Sequence, residues 1–274
     1  SICVNQTAAV DKLRLLRMIP THNTIQYTAT PAVTYAIIAS CAAAFLYQLS
    51  LPSSEGQQFL IDNALVPARY TDGSWAAEHD LSRSDVLPFL TSMFLHGGML
   101  HIFFNMWTLW IFGPALEDRM GHWRFALLYL LAGFAAGLAH FLFNFSSVIP
   151  ALGASGAIAG VIGAYVRRFP YAWINVLQPI GLMPLFLFMP ALMFAAIWFA
   201  TQFLQAAGST LSPSAGGGVA WWAHIGGFIM GWWLIRRLAP SANPIQEQHA
   251  ATESLLWPWR ETMRWWLWWL RRGR

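Results

Sequence analysis

Charged side chains are scarce in this 274-residue chain: Asp, Glu, Lys and Arg make up only 10% of it, against about 25% in an ordinary soluble domain. With 57% hydrophobic residues, the deficit excludes a typical water-soluble globular protein and points to a polytopic membrane protein. Cysteine is nearly absent. The two present, Cys3 and Cys41, are far apart, and Cys41 falls in the middle of an apolar helix, which argues against a disulfide framework. No His-Glu-x-x-His string occurs and the histidines lack acidic neighbours, which speaks against that kind of metal chemistry, and no cofactor is expected. No pair of aspartates lies within the apolar segments, and no inverted repeat or charged midplane site is visible, which disfavours an aspartic-type mechanism and a transporter. The small basic excess, formally +4, does not indicate nucleic acid, because in a membrane protein the placement of charge matters more than its total.

What the chain does have is six apolar segments, each read against the roughly 20 residues needed to cross about 30 Å of hydrocarbon. They run over about Pro31–Leu51, Met99–Leu116, Trp123–Phe143, Gly153–Val166, Leu182–Gln205 and Val219–Leu238. The expected fold is an all-α polytopic bundle of six transmembrane helices with a long first outer loop. The expected parts are an N-terminal cytoplasmic segment (1–30), the six-helix domain (31–238) and a cytoplasmic C-terminal tail (239–274). Residues 1–30 carry no charged-then-apolar signal pattern, and Met18 offers a second start, which would make 1–17 an extension. The fourth segment is short and rich in Gly and Ala, so one of its ends should lie below the surface in a water-accessible hollow.

Fourteen of the sixteen basic residues fall on one side of such a bundle. Lys12, Arg14 and Arg17 precede span one, Arg119 and Arg124 lie between spans two and three, Arg167 and Arg168 follow span four, and Arg236 and Arg237 end span six. Only Arg69 and Arg83 lie opposite, in the loop between spans one and two. This bias places both termini in the cytoplasm, and the expected location is a bacterial inner membrane. The stretch Leu255–Arg274 interleaves Trp257, Trp265, Trp266, Trp268 and Trp269 with Arg260, Arg264, Arg271 and Arg272. It reads as an amphipathic helix lying on anionic membrane lipid.

Chemistry is concentrated in a few polar residues inside these segments, where loss of hydration makes such groups costly to keep. Ser155 stands in Gly153-Ala154-Ser155-Gly156, near the outer start of span four. His224 stands in Ala223-His224-Ile225-Gly226-Gly227, near the outer start of span six. The two spans run parallel, which puts a nucleophile and a base at similar depth. Small residues four apart, Ser155, Ala159 and Gly163 on one span and Gly227 and Gly231 on the other, allow the helices to approach closely. Span two opens His96-Gly97-Gly98-Met99-Leu100-His101-Ile102-Phe103-Phe104-Asn105, where the spacing of four puts His101 and Asn105 on one helix face. These two, with the backbone N–H of Ser155 at a helix start, are candidate donors to an oxyanion. Taken singly, the Gly-Ala-Ser-Gly run also reads as helix packing, and His101 and Asn105 also read as bridges between helices. No Asp or Glu lies in a span at this depth, so a Ser-His-Asp triad is not expected and the partner that sets the His224 tautomer is left open.

At these residues the chain resembles the rhomboid family of intramembrane serine proteases. The matching strings are His96 to Asn105, Gly153 to Gly156, and Ala223 to Gly231, joined by Glu117-Asp118-Arg119, which resembles the family's Glu-x-Arg structural element. The resemblance covers about Met18 to Leu238. It implies a Ser-His dyad with Ser155 as nucleophile and His224 as general base, oxyanion stabilisation by His101, Asn105 and the Ser155 N–H, and structural roles for Gly153, Gly156, Gly227, Gly231, Glu117 and Arg119. The implied substrates are single-span membrane proteins that enter laterally beside span five, whose Pro184 and Pro190 suit a gate. One departure stands out: many members carry a Trp-Arg pair in the first outer loop, where this chain has Leu87-Pro88. An alternative reading is a catalytically silent scaffold or accessory subunit of a larger membrane complex, whose known examples lack the Ser or the His.

Overall fold

The computed structural model describes residues 19–180, 183–211 and 220–239. The basic residues Lys12, Arg14 and Arg17 and the C-terminal Trp/Arg stretch lie outside the described residues. Along the chain the elements are β1 (Ile19–Asn23), α1 (Ala32–Ser50), α2 (Ser53–Asn63), α3 (Ala68–Thr71), α4 (Gly73–Glu78), α5 (Pro88–Thr91), α6 (Met99–Met120), α7 (His122–Phe143), α8 (Ser155–Arg168), β2 (Trp173–Ile180), β3 (Met183–Pro190), α9 (Ala191–Leu211) and α10 (Trp221–Leu238). They fall into two compact units. One is built from 27–168 with the described part of 202–240, and the other from the described residues up to 26 with 169–201.

The larger unit is helical. Among the described residues three of its helices are long and apolar enough to cross a membrane: α1, α6 and α7. Leu46, Leu49 and Phe103 point outward from these helices and are more than half exposed, as expected of side chains that meet lipid rather than water. Polar groups are instead turned inward, among them Thr34, Asn105, Glu117 and Gln202. Apolar surface facing lipid gives helices no hydrophobic reason to associate, so small residues and internal hydrogen bonds must hold them together. Both are present. A methyl group added at Gly113 of α6 would lie 2.9 Å from Thr34 Oγ1, marking where α1 crosses. One turn later the buried Glu117 carboxylate accepts the N–H groups of Val33 and Thr34, each at 2.8 Å, and the Thr34 hydroxyl at 2.7 Å. Helix starts leave N–H groups without intrahelical partners, and Glu117 satisfies two of those of α1. His122 Nδ1 donates to Oε1, the oxygen that also accepts from Val33, at 2.5 Å. Asp118 accepts from the N–H of Ala29 at 2.8 Å and pairs with its neighbour Arg119 at 3.2 Å. In the Glu117-Asp118-Arg119 string Glu117 ties α1 to α6, Asp118 holds Ala29 just ahead of α1, and Arg119 partners Asp118.

Helices α7, α8 and α10 meet along a seam of glycine and alanine. Methyl groups at Gly227 and Gly231 of α10 would overlap the carbonyl oxygens of Gly156 and Gly160 of α8, and one at Gly163 would overlap that of Phe228. Ala136 and Ala132 of α7 close the other side of Gly156 and Gly160. The expected seam through Ser155, Ala159 and Gly163 is thus corrected: Gly156, Gly160 and Gly163 make the close contact, which leaves Ser155 at its border, free to present a hydroxyl.

Between α1 and α6 the chain is compact rather than open. The Arg69 guanidinium, 3% exposed, donates to the Asp62 carbonyl at 2.8 Å, the Ser82 carbonyl at 3.0 Å and the Asp85 carboxylate at 2.8 Å. One side chain so braces three stretches of this segment. Burial pushes the Tyr70 hydroxyl up to about 12, and Tyr70 remains a neutral donor, to the Asp85 carbonyl at 3.0 Å.

The smaller unit corrects the all-α expectation. Its three-stranded antiparallel sheet has the order β1-β2-β3. The register runs from Trp173↔Pro190 to Ile180↔Met183 in one pair and from Ile19↔Leu177 to Asn23↔Ile174 in the other. Residues Met183–Pro190, expected within span five, are strand, and the helix starts at Ala191. The prolines give the reason: Pro lacks the N–H and clashes with the preceding turn of a helix, whereas an edge strand such as β3 accommodates it. Ile174 and Val176 are buried while Phe186 and Phe188 are exposed, the two-residue alternation of a half-buried sheet.

Candidate active site

Ser155 is delivered by a turn held on both sides. Ala151 forms an antiparallel bridge with Leu65, through hydrogen bonds of 2.9 and 3.0 Å, and the N–H of Gly153 donates to the Ser92 carbonyl at 2.8 Å. Gly153 has φ +125°, a conformation that side chains disfavour. A methyl group there would also sit 2.7 Å from His101 Nε2. Glycine therefore serves both the backbone and the space in front of it. The carbonyl of Ala154 accepts the first helical bond, from Ile158 at 2.9 Å, so the N–H of Ser155 belongs to the first turn of α8, where amides have no acceptor within the helix.

His224 stands one turn into α10. Its Nε2 lies 2.8 Å from Ser155 Oγ and its Nδ1 lies 2.6 Å from Oε1 of Gln202, on α9. The Trp221 ring packs edge-on against the imidazole at 5.9 Å. Three helices thus converge on one ring. Ser155 and His224 were expected together; Gln202 was not. Its signal in the sequence is an amide within an apolar helix, a placement that itself asks for a function or a partner.

His101 and Asn105 share the inner face of α6, as their spacing predicts. The N–H of Gly97 donates to His101 Nδ1 at 3.4 Å. Because one nitrogen of a neutral imidazole accepts and the other donates, this bond leaves the proton on Nε2, which points at Gly153. Asn105 Nδ2 is buried without a hydrogen-bond partner among the described residues and lies 3.6 Å from the same methyl position. Two N–H donors converge beside the residue that stands two before Ser155. Beside them, burial and the neighbouring His101 push His96 down to about 4. His96 is thus neutral at pH 7, with Nδ1 donating to the Phe94 carbonyl at 3.3 Å.

A hydroxyl on a histidine, with N–H donors gathered beside it, is the set that acyl transfer requires. Among the described residues no group of three His, Cys, Asp or Glu side chains could hold a metal ion.

Comparison with known proteins gives the family of the chain. A family model described as the Rhomboid domain matches residues 83–241, more than half of the chain. Rhomboid protease GluP of Bacillus subtilis (strain 168) is 34% identical over 135 residues, 49% of this chain and 24% of that protein. RHOMBOID-like protein 4 of Arabidopsis thaliana is 26% identical over 230 residues, 79% of this chain and 52% of that protein. Inactive RHOMBOID-like protein 8 of the same plant is 29% identical over 133 residues, 48% of this chain and 37% of that protein. The chain therefore spans about half or less of the length of each of these relatives. The matched region contains the His96–Asn105, Gly153–Gly156 and Ala223–Gly231 strings, and on this ground the chain belongs to the rhomboid family.

Proposed function

We propose that this integral membrane protein is an intramembrane serine endopeptidase that cuts single-span membrane proteins with Ser155 and His224. The observation that carries the reading is the 2.8 Å approach of His224 Nε2 to Ser155 Oγ, beside a seam where the backbones of α8 and α10 touch. His224 takes the hydroxyl proton as Oγ bonds to the scissile carbonyl carbon. The carbonyl oxygen becomes an oxyanion, held by His101 Nε2–H, Asn105 Nδ2–H and the N–H of Ser155. As the C–N bond breaks, His224 returns the proton to the departing amine. Water, activated by the same histidine, then frees the acyl group from Ser155. No cofactor enters any step.

Six helices, α1, α6, α7, α8, α9 and α10, make the spans of this reading, and the segment from α2 to α5 makes the outer loop. The charge bias puts both termini in the cytoplasm, in a bacterial inner membrane, with the site open to the outer half. Substrate helices approach laterally beside α9. Only an unwound helix end exposes its carbonyls, so Gly, Pro and small residues near the cut are favoured. The C-terminal Trp/Arg stretch holds the inner leaflet.

Relatives bearing the words protease and inactive both match this chain, so the decisive test is chemical. A fluorophosphonate probe labels an activated serine. Labelling of wild type, lost in Ser155→Ala and His224→Ala, together with loss of cleavage of a single-span substrate, is the expected result. A wild-type chain that neither labels nor cleaves is a scaffold instead.

A further inference from the structure

The dyad leaves one requirement unmet. A neutral imidazole can carry its proton on either nitrogen, and only the form protonated on Nδ1 offers a lone pair to Ser155. In serine hydrolases with a third member a carboxylate makes this choice. Among the described residues no Asp or Glu faces His224. What faces Nδ1 is the side-chain carbonyl of Gln202, at 2.6 Å. Gln202 is 7% exposed and comes from a different helix than either member of the dyad.

Resting on the protease reading, we propose that Gln202 is the positioning residue for His224: its amide oxygen accepts the Nδ1 proton and holds the ring in the tautomer whose Nε2 lone pair faces Ser155. In this orientation the amide oxygen faces Nδ1 and can only accept, so the bond keeps the proton on Nδ1; the opposite tautomer would need the amide to turn its NH2 toward the ring. The bond also fixes the plane of the ring from the side opposite Ser155, while the Trp221 edge limits its tilt. When His224 takes up the serine proton, the same bond becomes charge-assisted and strengthens. The stabilisation therefore grows on the way to the transition state, which is where it raises kcat. A neutral amide does this without the cost of a carboxylate buried in hydrocarbon, which gives a physical reason for a dyad with no acidic third member.

The test is ¹⁵N NMR of the full chain with ¹⁵N-labelled histidine in lipid nanodiscs, the His224 resonances being identified by their loss in His224→Ala. Wild type shows His224 protonated on Nδ1 and bare on Nε2. Gln202→Met keeps the length of the side chain and removes the acceptor. The His224 signals then move toward the other tautomer or a mixture, and kcat falls about tenfold or more with KM unchanged. Gln202→Glu keeps an accepting oxygen and restores the wild-type tautomer. Thermal unfolding midpoints show that each variant folds. A Gln202→Met protein that folds and keeps the wild-type tautomer overturns the proposal, and so does a folded Gln202→Glu that fails to restore it. The NMR comparison needs no substrate, so a wild-type chain inactive toward probe and substrate defeats the protease reading while the spectra still decide the role of Gln202.

Discussion

Gly231 of α10 lies against the carbonyl oxygen of Gly160 of α8 so closely that a single added methyl group would overlap it. Gly227 stands in the same relation to Gly156 one turn earlier. The helix that carries the candidate base and the helix that carries the candidate nucleophile are therefore in backbone contact. The span between Ser155 and His224 depends on that contact more than on any hydrogen bond between the two.

Gly231→Ala accordingly forces the helices apart and destabilises the protein by about 1–3 kcal/mol, the usual cost of overpacking. It lowers serine labelling with it. Gly56→Ala is the control. Its nearest neighbour would be Leu51 Cβ at 3.9 Å, and inside α2 alanine is the better helix former by about 1 kcal/mol. Thermal unfolding in one detergent compares the two, and a Gly231→Ala protein as stable as wild type contradicts the seam.

Asn105 carries a buried amide nitrogen with no partner among the described residues, an arrangement that does little for folding. Asn105→Leu is expected to leave stability within about 1 kcal/mol of wild type and to lower kcat about 100-fold or more, the loss typical of an oxyanion donor. Parallel unfolding and cleavage measurements separate the two effects. An equal fall in both would make Asn105 a structural bridge.

Glu117 is predicted to matter for stability and not for chemistry. Glu117→Ala strips the Val33 and Thr34 amides and the Thr34 hydroxyl of their acceptor at once. It is expected to cost about 3 kcal/mol, since hydrogen bonds to a charged group are worth about 1.5–3 kcal/mol each and part is recovered by water. Glu117→Gln keeps one accepting oxygen and costs less. At temperatures where the variants remain folded, kcat is unchanged, and a drop in kcat without a drop in stability would move Glu117 into the site.

Much of this site is legible in the chain. Helical spacing puts His101 and Asn105 on one face, and the small residues around Ser155 and His224 announce a tight crossing. The apolar runs of α1, α6 and α7 stand out because a helix that faces lipid must be apolar almost all round. Three features were not legible. The seam runs through Gly156 and Gly160 and not Ser155 and Ala159, because a shift of one position turns a helix by about 100° and small residues occupy both faces. The residues Met183–Pro190 read as part of a span, because a short apolar run has no period that separates a buried strand from a helix; only the pairing with β2 shows which it is. The brace formed by Arg69 joins residues far apart in a segment with no periodicity.

The sequence by itself determined the class of molecule, the long apolar helices α1, α6 and α7 and the identity of the polar residues that an apolar setting makes conspicuous, since each of these depends on local hydropathy and spacing. The tertiary structure alone decided which of those polar residues meet. Gln202 lies 22 positions from His224 and His224 lies 69 from Ser155, and nothing local couples them. Their hydrogen bonds exist because three helices converge at one depth, and the close glycine contact of two of them settles which side chains face one another.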